Sequence, residues 1–248
     1  MSTWSREKEA SLLNLPVNSS NLLNMKIRTF VMMAAAMLVL AGTVQGQPKQ
    51  SKEKQSRKAK PETVRLFNGK DLKNWAFHLK DPSVDPSGVF TVKNGVINIK
   101  GEPFGYMRTK ESFSDYTLTL EWRWPSEPTN SGVFVHAQLP DTIWPRCIEC
   151  QLKAGSAGDF VCMNGADMNE RKDKAVRSVK KLAGSSEKPA GEWNKMEVTC
   201  LSNTITVSVN GILQNKATGL NINSGHICLQ SEGKDLEFRN VVVVKHKK

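Results

Sequence analysis

The sequence predicts an all-β sandwich, and three observations carry that prediction. From Val64 onward, short runs rich in Val, Ile, Thr and aromatic residues are bounded by clusters of Gly, Asn, Pro and Ser. Asn-Gly pairs at 94–95 and 210–211, the strongest short-range hairpin signal, each join two such runs. No long apolar helix and no alternation of strand with helix interrupts the pattern, which argues against a parallel-sheet enzyme.

Taken in order, residues 1–24 are polar and look like no export signal, which places them upstream of the true start at Met25. Residues 25–46 have a basic start (Lys26, Arg28), an apolar run from Phe30 to Ala41 and small or tolerated residues at Val44 and Gly46. This reads as a Sec-type signal peptide cleaved before Gln47. The apolar run is too short for the roughly 20 residues that span a bilayer. A lipoprotein would need cysteine where Thr43 stands, so a periplasmic or secreted protein without stable membrane insertion is expected. Residues 47–60, QPKQSKEKQSRKAK, read as a disordered basic linker, and 61–248 as the folded domain.

The net charge of +11 would point to an acidic partner if it covered the fold. It lies in the tails: residues 61–244 hold 22 Lys and Arg against 21 Asp and Glu. The domain therefore gives no electrostatic reason to expect nucleic acid.

Within the domain, VFTVKNGVINIKG reads as a hairpin across Asn94-Gly95, and KMEVTCLSNTITVSVNGILQN adds turns at Ser202-Asn203 and Asn210-Gly211. YTLTLEWRW, SGVFVHAQ, CIECQLK, HICLQ and LEFRNVVVVK bring the total to about ten strands. The charged stretch 165–191 reads as a long excursion with a short helix over one end of the sandwich.

The segment CIECQLK poses a choice between a metal knuckle and a strand. Cys147 and Cys150 lack the second ligand pair that structural zinc requires. As a strand, it puts Ile148, Cys150 and Leu152 toward the core and Glu149, Gln151 and Lys153 on the other face. Period-two alternation likewise places Glu121 and Arg123 of YTLTLEWRW on a polar face, together with His136 and Gln138 of SGVFVHAQ. The three consecutive strands then show these side chains on one surface, and if the sheet curves as jelly-roll sheets do, that surface is a groove suited to sugar hydroxyls, with Trp144 as a stacking platform. The same residues on a solvated face would merely pair across strands.

The stretches RLFNGKDLKNW, TLEWRWP, NSGVFVH, IECQL, GEWNKMEVTC and GHICLQSEGKDLEFRNVVV, spanning essentially Val64 to Val244, resemble the 3-keto-disaccharide hydrolase domain family. The resemblance implies a concanavalin-like jelly roll and an exported hydrolase for 3-keto-glycosides or 3-keto-disaccharides, working beside a sugar oxidoreductase that makes the ketone. A C3 ketone acidifies the C2 proton, so a base can remove it, the C1 oxygen can leave, and water can add back. Glu149 and His136 are the candidates for base and acid, in either order. Arg123, Lys153 and Arg239 are candidates to hold the enolate or a hydroxyl, while Glu121, Gln138, Trp144 and Gln151 would position the sugar. Asp159, which follows the CIECQLK strand, is a further candidate to bind the substrate and could join Glu149 in holding a divalent metal ion. Relatives often carry histidine in the segment that here reads LQSEG, where Glu232 stands.

Gln151 and Lys153 occupy places where glucanases of such a fold carry further carboxylates, which disfavours a retaining double displacement. Glu121 with Glu149 leaves an inverting pair open, and a sugar-binding module without turnover is the alternative to an enzyme.

Overall fold

The computed structural model describes residues 61–247; the expectations for a signal peptide and a basic linker lie outside them. The described residues form fifteen strands and one 3₁₀ turn, at Pro86–Gly88. The strands are β1 (Glu62–Arg65), β2 (Trp75–Leu79), β3 (Phe90–Lys93), β4 (Val96–Ile99), β5 (Gly105–Thr109), β6 (Tyr116–Arg123), β7 (Gly132–Ala137) and β8 (Cys147–Gln151). They continue with β9 (Phe160–Met163), β10 (Ser178–Val179), β11 (Asn194–Leu201), β12 (Thr204–Val209), β13 (Ile212–Ala217), β14 (His226–Ser231) and β15 (Leu236–Lys245). The predicted hairpin turns are present, with positive φ at Asn94, Gly95, Ser202, Asn210 and Gly211, the backbone that tight hairpins need.

Two antiparallel sheets face each other in a jelly roll. One runs β13, β12, β11, β6, β15, β4, β3, with β1 added to β15; the other runs β10, β9, β8, β7, β14, β5, β2. Alternation predicts the buried face of each strand. Tyr116, Leu118, Leu120 and Trp122 of β6 meet Val133 and Val135 of β7, Ile148 and Cys150 of β8, and Phe238 and Val243 of β15 in one core. A buried side chain of this size contributes about 1.5–3 kcal/mol.

Alternation does not say which sheet a strand joins. β6 lies in the eight-stranded sheet, opposite β7 and β8 rather than beside them. The expected single groove across three consecutive strands is therefore split between the two outer faces.

A second difference comes from a β-bulge. His226 pairs with Ala137 and Cys228 with Phe134, so β7 uses one residue more than β14 over the same span. His136 takes up the extra residue at φ 56°. A one-residue slip exchanges faces. His136 is consequently turned into the interior, fully buried, its ring edge-on to Tyr116 at 6.2 Å.

The excursion at 165–191 contains no helix; it contributes the two-residue strand β10, which pairs with β9. Buried polar side chains tie it down. The Asn215 amide donates to the carbonyls of Val179 and Lys180 at 3.2 Å each, and Asp159 accepts from the Lys181 backbone N–H at 2.9 Å.

Candidate active site

Glu149 sits in the middle of β8, between β7 and β9. Its outer face shares an apolar floor of Tyr106, Phe134, Cys147, Val161, Met163 and Cys228, against which Trp144 packs. Cys147 belongs to this floor and Cys150 to the inter-sheet core, so the two thiols point to opposite faces as a strand requires, and all five cysteines are free. The carboxyl folds across Gly132 of the neighbouring strand. A Cβ at position 132 would stand 2.2 Å from Glu149 Oε1 and 2.7 Å from its Cγ. Glycine is needed here for close approach rather than for backbone freedom.

Glu149 is only 5% exposed, and no hydrogen bond to it is formed among the described residues. Burial, with a smaller push from Glu232 and against the opposing charge of Arg177, raises its pKa to about 8. At neutral pH the group therefore holds its proton. It opens into a pocket of about 190 Å³ lined by Asn130, Trp144, Gln151, Arg177, Gln230 and Glu232 among others.

The pocket has a polarity set by strand order. At the β10 end, Arg177 and Ser178 present donors. At the β14 end, Gln230 is 2% exposed and donates from Nε2 to Glu232 Oε2 at 2.7 Å, while its Oε1 is buried without a partner. Asn130 Oδ1 is likewise buried and unpartnered. Such orphaned acceptors carry a desolvation cost that a bound hydroxyl would relieve. Glu149 lies between the two ends. Gln151 turns Oε1 onto the backbone N–H groups of Leu152 and Lys153, at 2.9 and 2.8 Å, so its amide N–H groups remain as donors. Trp144 is held by its loop: Arg108 grips Asp141 through Nε and Nη2 at 2.8 and 2.9 Å, and Phe104 packs 6.5 Å from the indole.

Of the residues predicted from sequence, Glu149, Gln151 and Trp144 thus meet in the pocket, and Lys153 stands exposed nearby, where its charge weakly opposes the burial that raises the pKa of Glu232. His136 does not: desolvation lowers its pKa to about 4, and its ring lies on the core side of the sheet. Gln138 donates to the carbonyls of His136 and Ser224, at 2.8 and 2.6 Å, and braces the bulge. Asp159 is ion-paired with Lys180 at 3.0 Å and anchors the excursion.

Glu121, Arg123 and Arg239 lie on the outer face of the other sheet. There Arg239 donates to Glu121 at 2.6 Å and Arg123 to Glu237 at 2.5 Å, and both guanidiniums cover Trp193, at 4.0 and 4.6 Å. An inverting pair of Glu121 with Glu149 is therefore excluded by the topology. Among the described residues, no three His, Cys, Asp or Glu side chains converge as a metal centre. The pocket's oxygen donors are the carboxyls of Glu149 and Glu232, the amides of Asn130, Gln151 and Gln230, and the Ser178 hydroxyl.

Asn130, Arg177, Ser178 and Gln230 were not expected from the sequence. Alternation in HICLQS could have identified Gln230, since it falls out of phase with Ile227 and Leu229. Nothing in the charged excursion distinguishes Arg177 from its neighbours.

A family model described as 3-keto-alpha-glucoside-1,2-lyase-like domain matches residues 62–244. No curated protein matches the chain. Among solved structures, a protein of Parabacteroides distasonis ATCC 8503 provisionally named a glycosyl hydrolase is 19% identical with a TM-score of 0.57, over 75% of this chain and 94% of that one. The β-glucanase of Bacillus licheniformis is 10% identical with a TM-score of 0.52, over 77% and 100%. The carbohydrate-binding module CBM66 of Bacillus subtilis is 8% identical with a TM-score of 0.51, over 68% and 93%. At these identities the likeness establishes the jelly-roll fold, which both enzymes and binding modules use. No helix among the described residues is long and apolar enough to cross a membrane.

Proposed function

The chain belongs to the 3-keto-alpha-glucoside-1,2-lyase-like domain family, and from that membership we propose that it cleaves glycosides whose sugar is already a ketone at C3. The C2 proton is removed, the C1 oxygen leaves by elimination, and water adds back. The observation that carries this reading is Glu149, a buried carboxyl without a hydrogen-bond donor, pushed up to about pKa 8 in a polar pocket. A neutral carboxyl at pH 7 is a proton donor to a leaving oxygen. Arg177 and Ser178 at the β10 end face the developing enolate oxygen, the role for which the sequence offered Arg123, Lys153 and Arg239. Trp144 stacks on the sugar ring, and Gln151 orients it. An oxidation that installs the C3 ketone has to precede this step, so a sugar oxidoreductase is the expected upstream activity.

The test is to incubate the purified protein with a 3-keto-disaccharide and with its unoxidised parent, with and without a chelator, and follow release of the leaving sugar. Release from the keto form alone is expected, and loss with chelator would add a metal to the site. Binding of both without release would make the domain a sugar-binding module.

A further inference from the structure

Glu232, just beyond β14, lines the same pocket as Glu149, and the two carboxyls differ in what reaches them. Gln230 Nε2 donates to Glu232 Oε2 at 2.7 Å, a bond that favours a charged acceptor, whereas Glu149 lies over Gly132 with no donor on it. Resting on the reading above, we propose that Glu232 is the base of this site and Glu149 its acid, the two forming one proton relay across the pocket.

The relay balances. The Glu232 carboxylate takes the C2 proton, and the C–H electron pair forms the enolate C2=C3–O⁻ facing Arg177. When the C3 carbonyl re-forms, that pair becomes the C1=C2 bond and the C1–O bond breaks toward the leaving oxygen, which receives the Glu149 proton. Glu149, now ionised, takes a proton from water as the hydroxyl adds to C1, and Glu232 returns its proton to C2. Both carboxyls end as they began, so one pair of groups serves the elimination and the hydration. The surroundings agree: burial raises Glu232 too, as does Glu102, but the Gln230 and Asn130 amides and Lys153 oppose the rise, while at Glu149 only Arg177 does. Two neighbouring carboxyls with different donors divide into acid and base in this way.

Leaving-group dependence separates the roles. With 3-keto-glucosides of an alkyl alcohol and of nitrophenol, Glu149→Gln should lose roughly 10²–10⁴-fold on the alkyl substrate and far less on nitrophenol, which leaves without protonation. Glu232→Gln should lose a comparable factor on both, together with exchange of the C2 hydrogen into deuterated water, which Glu149→Gln should retain. In kcat/KM against pH, Glu232→Gln should lose the acid limb and Glu149→Gln the basic one. Wild-type turnover with an unaffected Glu232→Gln, or the reverse leaving-group pattern, overturns the relay alone. A wild type that neither exchanges nor cleaves the keto substrate overturns the function beneath it as well. Cooperative melting of each variant, with Glu149→Gln level with the wild type at pH 4, excludes misfolding as the cause, and the exchange and pH readouts would not move for a merely structural group.

Discussion

The two outer faces of the sandwich have nearly the same inventory: glutamates, arginines and a tryptophan. On the eight-stranded sheet, Glu121 is met by Arg239 and Asn240, Glu237 by Arg123, and Trp193 lies beneath both guanidiniums. On the seven-stranded sheet, Glu149 has no donor, and Gln230 Oε1 and Asn130 Oδ1 have no partner. One face is finished by its own residues and the other is not. A mixture of polar residues therefore says little about a site, whereas unmet hydrogen-bonding demand that lines an open pocket, unlike that of Trp122, Trp124 and His136 in the core, marks where a ligand would complete the structure.

The sharpest way to break this comparison is Glu149→Gln. It should lower turnover of a keto-glycoside with an alkyl leaving group by about 10²–10⁴-fold. It should also change stability with a definite sign. The ordinary carboxyl loses its proton near pH 4.5, but the folded one keeps it to about 8. Below pH 4.5 both states are protonated and nothing is lost; between 4.5 and 8 the unfolded chain alone ionises, so wild-type stability falls as pH rises. Glutamine has no such proton, and the variant should melt above the wild type at pH 9, by at most a few kcal/mol in free energy, and level with it at pH 4. A constant difference across that range would mean that Glu149 is not held neutral.

Gly132→Ala comes next. The added methyl displaces the Glu149 side chain without touching its chemistry, and a shift of about 1 Å at a catalytic group costs on the order of 10²-fold. Activity equal to wild type would show that the carboxyl works from another position. Trp144→Ala should raise KM up to roughly tenfold with kcat little changed, the scale of one aromatic contact. Smallest of all, Glu121→Gln and Arg239→Met on the completed face should leave turnover untouched and change stability by about 1 kcal/mol, the scale of a half-buried surface ion pair. A loss of activity there would contradict the division between the faces.

Much of this was legible in the residues. The alternation in CIECQLK put Glu149 on the outer face and the Asn-Gly pairs marked the hairpins, because both are local effects of strand geometry. What was not legible is non-local. Glu121 and Arg123 alternate just as Glu149 and Gln151 do, and only the pairing of β6 with β11 and β15 sends them to the far side of the molecule. His136 was lost to a single inserted residue whose effect depends on its partner strand. Arg177 reaches the pocket because its carbonyl accepts from the Cys162 N–H of β9 at 3.0 Å, while Asn215 and Asp159 tie down the residues that follow it.

The pocket draws Asn130, Glu149, Arg177 and Gln230 from segments spread over some hundred residues of chain. Its strands β10, β9, β8, β7 and β14 lie side by side only when β14 has paired with β7, which it follows by about 90 residues, and pairings this distant in sequence form slowly. Recovery of keto-glycoside cleavage during refolding should therefore lag behind recovery of β-structure, which parallel activity and circular-dichroism traces would show.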